Sequence, residues 1–372
     1  MRVPDLASLA PLDVAARAPR LRARLDRDGL DALLVSDLTN IRYLTGFTGS
    51  AALLLVTGDG LLFVTDGRYE HQSAAELAAA GVDAIIEITG TAQRDVFAAA
   101  VERAGIDRLG LEAESVTWAA QRRYAETWFP GRTLVATAGL VEGLREIKDD
   151  GEIDRIAAAS AVADAALAEV RPLLLDGPAE RELGLALDTA MRRLGAADVS
   201  FETIVASGPN GALPHHRPGT RPITEGDLVV LDFGALVDGY HSDMTRTVMV
   251  GEPTPTQARM YEVVAEAQAA GVAAVRAGVD ARDVDAACRE GIAAAGWADA
   301  FPHGTGHGVG LDIHEDPRVG AGSTARLADR CVVTVEPGVY LPDHGGVRIE
   351  DTVVVTADGC RTVTLTHKNA AV

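Results

Sequence analysis

Four acids in this chain of 372 residues interrupt or close apolar runs that read as buried strands. Asp232 follows LVVL and Glu336 follows VVTV, while Asp243 and Glu350 come 11 and 14 residues later, each leading towards another β-branched run. A carboxylate in such a strand cannot stay ionised without a partner, because burial penalises the ion heavily. Basic residues close to these four in sequence are few, so the expected compensation is a bound metal cation. The stretch FPHGTGHGVGLDIHE, residues 301–315, sets His303, His307 and His314 among glycines. Four carboxylates with one imidazole make an oxygen-dominated set suited to two divalent ions that share bridging acids. Such hard donors fit Mn²⁺, Co²⁺, Fe²⁺ or Zn²⁺ rather than a thiolate zinc site. HGTGH has the i, i+4 spacing of an HExxH helix, but it lacks the glutamate and its glycines oppose a helix, so that reading is set aside.

The elements that must carry these residues repeat. Residues 227–250 (DLVVLDFGALVDGYHSDMTRTVMV) and 330–355 (RCVVTVEPGVYLPDHGGVRIEDTVVV) follow one plan: apolar strand, acid, Gly-containing turn, second acid, strand. This is a half-and-half duplication rather than a short-period solenoid. Amphipathic or Ala-rich patterns predict helices at 151–174, 179–194, 254–276 and 281–296. Before them, LRARLDRDGLDALLVSD reads as helix then strand, and AALLLVTGDGLLFVTDG as a hairpin around a TGDG turn. SAAELAAAGVDAIIEI predicts a further helix and strand, and RLGLEAE another strand. The fold class expected is therefore α/β (α+β), with a small α/β domain over 1–140 and a second, pseudo-symmetric domain over 141–372.

Composition narrows the partners. The formal charge of −20 disfavours nucleic acid and anionic membranes, both of which demand basic surface. No apolar window approaches a membrane span, and the first twenty residues lack the apolar run of a secretory signal. Three scattered cysteines, Cys288, Cys331 and Cys360, suit a reducing compartment, so the expected location is the cytoplasm.

Five motifs, met in order, carry a resemblance that covers essentially the whole chain: LDFGA with Asp232, HSDMTRT with Asp243, HGTGHGVG with His307, TVEPGVY with Glu336 and GVRIEDT with Glu350. With NIRYLTGFTGS and TDGRY in the first part, the chain resembles the pita-bread metallopeptidases, in the branch of proline dipeptidase (prolidase) and aminopeptidase P. The resemblance implies a creatinase/prolidase-like N-terminal domain followed by a pita-bread catalytic domain. It also implies two divalent metal ions per chain (Mn, Co or Zn). Asp232 would hold one ion with both oxygens, Asp243 and Glu350 would bridge, and His307 and Glu336 would hold the other. Glu336 would also take the proton of the attacking water, and Thr245 would stand beside the site. His215 would face the substrate, His314 would stabilise the tetrahedral intermediate or assist proton transfer, and His303 would line the pocket. Arg348 matches a site arginine grouped with the substrate contacts, although pairing with a bridging acid is the alternative. His216 stands open as a polar neighbour, and Phe201 occupies a place where relatives often carry Tyr.

The activity implied is hydrolysis of the Xaa–Pro bond, as a dipeptidase acting on Xaa–Pro dipeptides. Proline's imide nitrogen has no hydrogen for a peptidase to grip, and direct attack on the carbonyl avoids that need. The alternative is an aminopeptidase P acting on longer Xaa–Pro peptides. A methionine aminopeptidase is opposed by the N-terminal domain, a creatinase by the full metal set, and a non-catalytic binding module by the retention of His215 and His314. For a dipeptidase, Arg318 and Arg326 are the candidates to bind the proline carboxylate. A homodimer is the expected assembly, with Asp37 as a candidate to reach the partner's pocket.

Overall fold

The computed structural model describes residues 8–371, and the opening stretch that predicts no secretory signal lies partly outside them. The chain divides into Leu12–Arg145 and a second unit made of Glu146–Val372 with the described residues before Leu12.

In the first unit, helix Arg17–Asp28 buries Leu21 and Leu25 on one face and ends at Gly29, whose φ of 64° is the left-handed turn that glycine adopts without strain. Six strands follow: β1 (Ala32–Val35), β2 (Ala52–Thr57), β3 (Leu61–Thr65), β4 (Ile85–Ile88), β5 (Arg108–Glu112) and β6 (Thr133–Thr137). They form one sheet in the order β4-β3-β2-β1-β5-β6. The predicted hairpin is β2 and β3, antiparallel with Leu54 opposite Phe63. The outer pairs β3/β4 and β5/β6 are parallel, which requires crossovers. Helix Glu70–Ala79 lies in the first and helix Trp118–Arg123 in the second, while helix Gln93–Arg103, not singled out in the sequence, links β4 to β5. Asp37 caps helix Leu38–Thr45, accepting from the Thr39 and Asn40 N–H groups at 2.8 and 3.1 Å.

In the second unit all four expected helices form, as Asp150–Val170, Glu180–Arg193, Pro255–Ala274 and Ala281–Ala294. Two begin with capping boxes, Asp149 with Glu152 and Thr254 with Gln257. The repeated plan appears as two antiparallel pairs. Strand Leu228–Phe233 pairs with Met244–Met249 so that Asp232 lies opposite Thr245, and Val332–Val335 pairs with Asp351–Thr356. Each pair encloses a small hairpin, Ala235–Val237 with Tyr240–His241 in the first and Gly338–Leu341 with Gly345–Arg348 in the second. Each half has its own core. Val162, Leu167, Leu187 and Met191 of the first two helices pack on Val229, Phe233 and Met244. Val263, Val264, Val284 and Cys288 of the other two pack on Val333, Val353 and Val355. The halves meet where the Glu350 N–H donates to the Thr245 carbonyl (3.1 Å) and the Thr247 hydroxyl to the Arg348 carbonyl (2.9 Å). Residues 232, 243, 336 and 350 all fall at this seam, at strand ends, because the apolar cores occupy the rest of each strand.

His307 sits on the short strand Gly306–Gly308, wedged between Glu315–Val319 and Val332–Val335. A Cβ on Gly306 would stand 2.0 Å from the Thr334 carbonyl oxygen, and one on Gly308 would stand 2.2 Å from that of Asp316. Glycine here is a requirement of close backbone approach. Gly306→Ala should therefore destabilise the protein by about 1–3 kcal/mol or more. Gly291→Ala, in an exposed helical position with nothing within 4 Å of the new Cβ, should be neutral or stabilising by about 0.5–1 kcal/mol. Denaturant unfolding of the two variants checks the contrast.

Candidate metal centre

Asp232, Asp243 and Glu350 each turn an oxygen to one point, all three atoms lying within 4.8 Å of one another. His307 Nε2 lies 3.5 Å from both Asp243 Oδ2 and Glu336 Oε1, bringing the fourth acid to the same place. Among the described residues, Asp232 Oδ1 and Glu350 Oε1 are buried side-chain atoms with no hydrogen-bond partner. A buried, unpartnered carboxylate oxygen is costly, and here both belong to one cluster of acids. The donor chemistry and the two orphaned oxygens fit a divalent cation.

Electrostatics point the same way. Burial pushes the Asp243 carboxyl well above the usual range, with repulsion from Glu350, Asp232 and Glu336 adding to it. Glu350 is raised by burial and then by Glu336 and Asp232. Glu336 is pushed up to about 8, chiefly by burial, although Arg348 opposes the shift. Without cations these groups would hold protons rather than charge. The neighbouring imidazole is in the complementary state, because burial holds His307 down to about 4. Its Nδ1 faces the Gly308 carbonyl at 3.0 Å. A carbonyl only accepts, so the hydrogen is on Nδ1 and the Nε2 lone pair faces Asp243 and Glu336.

One expectation needs correcting, since the four acids do not all lack a basic partner. Arg348, 3% exposed, pairs through Nη2 with Asp232 Oδ2. Its Nε donates to the Thr245 hydroxyl at 3.1 Å, and that hydroxyl donates to Glu350 Oε2 at 2.8 Å. Burial works against the Arg348 charge, but Tyr340, Asp232 and Glu336 outweigh it and keep the guanidinium protonated. Its Nη1 donates to the Tyr340 hydroxyl at 2.9 Å, and that hydroxyl stands 2.8 Å from His303 Nε2. His303 Nδ1 is 2.8 Å from the Gly304 carbonyl. Both ring nitrogens of His303 are thereby engaged, so it presents its ring rather than a free nitrogen to the pocket. Tyr340 was not singled out in the sequence, because nothing in TVEPGVY marks its hydroxyl as the link between Arg348 and His303.

A cavity of about 650 Å³ opens over the acids, lined among others by Phe201, His215, His303, His314, Arg318 and Arg348. The His314 ring stands 4.4 Å from that of His307, at 73° to it, and burial lowers its pKa. Arg326 is absent from the lining and pairs with Asp280 at 3.2 Å, its side chain 70% exposed. His216 lines the cavity but is committed elsewhere. Its Nε2 is 2.9 Å from Glu180 Oε2, and the fully buried Glu180 also accepts from the Ser207 and Gly219 N–H groups, the Ser207 hydroxyl and Asn210 Nδ2. Glu180 thus anchors the loop that carries His215, and His216 is one of its ties. Thr245 stands between Arg348 and Glu350, beside the acids, as expected.

The sequence profile described as metallopeptidase family M24 matches residues 154–357. That of the creatinase/prolidase N-terminal domain matches residues 17–147. A protein named Xaa-Pro dipeptidase in Pyrococcus horikoshii is 35% identical over 92% of this chain and 95% of its own length. The solved structure of an Xaa-Pro dipeptidase from Bacillus anthracis superposes with a TM-score of 0.92 at 38% identity, covering 96% of this chain and all of that one. That of an X-Pro aminopeptidase from Thermotoga maritima gives 0.87 at 34% identity, covering 94% and 100%.

The shifted groups predict how stability responds to pH when metal is withheld. Glu336, Asp243 and Glu350 bind protons more tightly folded than unfolded, so their contribution is lost as pH rises towards about 8, the value for Glu336. The buried histidines act oppositely, but only below their unfolded value of 6.5. Chelator-treated protein should therefore lose thermal stability between about pH 6.5 and 8. Added divalent metal should restore it most at the upper end of that window. Scanning calorimetry with and without metal checks both halves.

Proposed function

The chain belongs to metallopeptidase family M24, and on that premise we propose that it hydrolyses the Xaa–Pro bond, preferentially in Xaa–Pro dipeptides. The observation that carries this reading is the convergence of four acids and His307 beneath a cavity that also holds His215, His314 and Arg318. In this reading Asp232, Asp243, His307, Glu336 and Glu350 hold two divalent ions, with Mn²⁺, Co²⁺ or Zn²⁺ favoured by hard oxygen donors and one neutral imidazole. Bound there, such ions supply an activated water and polarise the scissile carbonyl. Glu336, with 18% of its side chain exposed against 7% for Asp243, is open enough to the cavity to take the proton of the attacking water. It returns that proton to the proline nitrogen as the bond breaks. His314 and His215 face the substrate and stabilise charge that develops on the carbonyl oxygen. Arg348 serves by holding Asp232, and His303 by shaping the wall of the cavity.

Arg318 is the proposed partner of the proline carboxylate, since an arginine reaches a carboxylate with two parallel hydrogen bonds. A second reading, an aminopeptidase P acting on longer Xaa–Pro peptides, is favoured by the likeness to the Thermotoga aminopeptidase. The three unpaired cysteines support a cytoplasmic setting. Among the described residues no helix is long and apolar enough to cross a membrane. The homodimer implied by the resemblance belongs to the same proposal, and sedimentation equilibrium reads it directly.

The two readings part on Arg318. Arg318→Ala should raise KM for an Xaa–Pro dipeptide by roughly tenfold or more, the loss of a charge-assisted pair, and change that for an Xaa–Pro–Yaa tripeptide far less. Comparable kcat/KM for dipeptide and tripeptide in the native protein would favour the aminopeptidase. Cleavage of neither would remove the Xaa–Pro reading.

A further inference from the structure

The loop that brings His314 into the cavity is fastened from beneath by an ion pair that the chemistry above does not use. Lys148, 1% exposed, places Nζ 2.9 Å from Oε2 of Glu315, the residue after His314 and itself buried. The other carboxylate oxygen of Glu315 accepts from the Asp312 N–H at 3.2 Å. The carboxylate also lies against the loop backbone, since a Cβ on Gly310 would meet Glu315 Oε2 at 2.5 Å. The Gly310 carbonyl in turn accepts from the His241 N–H at 2.9 Å, and the Gly310 N–H donates to the Asp312 carbonyl at 3.1 Å. The loop is therefore closed on itself and pinned by a buried ion pair.

Lys148 is held as firmly as it holds. Its N–H donates to the Arg330 carbonyl at 3.2 Å, and Arg330 Nε donates to the Lys148 carbonyl at 2.6 Å. The Arg330 guanidinium also pairs with Asp150. Arg330 leads into strand Val332–Val335, which is followed directly by Glu336. One residue thus ties the loop of His314 to the base of the strand that delivers Glu336. The chain has only two lysines, Lys148 and Lys368, and uses arginine elsewhere. A compact ammonium suits a narrow buried place facing a carboxylate, where the broad guanidinium fork does not.

We propose that Lys148 is a positioning residue which, through Glu315, sets where the His314 ring stands and thereby the rate of peptide cleavage rather than substrate affinity. This rests on the reading of His314 as a substrate-handling group. A displacement of about 1 Å at such a group costs on the order of 10²-fold in rate. Removing Lys148 also takes one cationic partner from a buried carboxylate, and removing Glu315 takes the ion-pair partner from a buried ammonium.

The test uses Lys148→Met, Glu315→Gln and the double variant, with kcat, KM, bound metal and amide exchange measured on each. In the folded, metal-replete variants kcat should fall by about 10²-fold while KM stays within about threefold. The double variant should lose no more than the worse single one, because the pair acts as a unit. The Gly310 and Asp312 amides should exchange faster in all three and slowly in the native protein. If the single variants do not fold, the neutral double variant carries the comparison. Native-like kcat, a loss that only tracks missing metal, or a fall in kcat without faster exchange would each overturn the proposal, as would rapid exchange of those amides in the native protein. If native protein cleaves no Xaa–Pro substrate, the functional reading fails, and exchange alone still decides whether Lys148 pins the loop.

Discussion

Mutual repulsion among four carboxylates held out of water at the seam between two half-domains is the constraint around which the second unit is built. Like charges in a low-dielectric place cannot all persist without cations. Several local features are answers to that one problem. Arg348 is buried against Asp232, the Thr245 hydroxyl is spent on Glu350, and His307 is kept neutral with its lone pair turned inward. Among the described residues, two buried carboxylate oxygens of the cluster remain without a hydrogen-bond partner. Membership of a metallopeptidase family identifies the missing positive charge as divalent metal.

Rigidity around the cluster comes from the periphery. The strands that end in the acids are anchored in two separate apolar cores, so the seam inherits its geometry from packing on both sides. The loops that bring in the cavity-lining histidines are tied by buried charge as well. Glu180 gathers the loop of His215. Asp285 accepts from the Thr305 N–H and hydroxyl while Arg289 donates to the Phe301 and His303 carbonyls, which fixes the segment bearing His303. Lys148 and Glu315 do the same for His314. Each tie starts on or beside a helix, where backbone position is well determined.

Much of this was legible in the sequence because it is local. Acids that interrupt β-branched runs, the 11- and 14-residue spacings and glycines around His307 are all properties of short windows. The four helices of the second unit were legible for the same reason. Strand Thr133–Thr137 at one edge of the first sheet and helix Gln93–Arg103 were not singled out, because their patterns are short and half-exposed. What stayed hidden is long-range pairing. Asp232 and Arg348 are 116 residues apart, Lys148 and Glu315 are 167 apart, and Glu180 and His216 are 36 apart. Counting bases near the acids in sequence therefore missed Arg348, and His216 could be read as a polar neighbour until Glu180 was seen beneath it. Arg318 and Arg326 looked alike as neighbours in one stretch, and only the fold separates them, since Arg318 lines the cavity while Arg326 pairs with Asp280.

The central claim is that the acid cluster works only when cations balance its charge. The most direct measurement is turnover of an Xaa–Pro dipeptide by chelator-stripped protein as Mn²⁺, Co²⁺ or Zn²⁺ is added in counted equivalents, with bound metal followed by elemental analysis. Activity should be absent at the start and should rise with bound metal to a plateau at two ions per chain. Full turnover by protein shown to contain no metal would contradict the account.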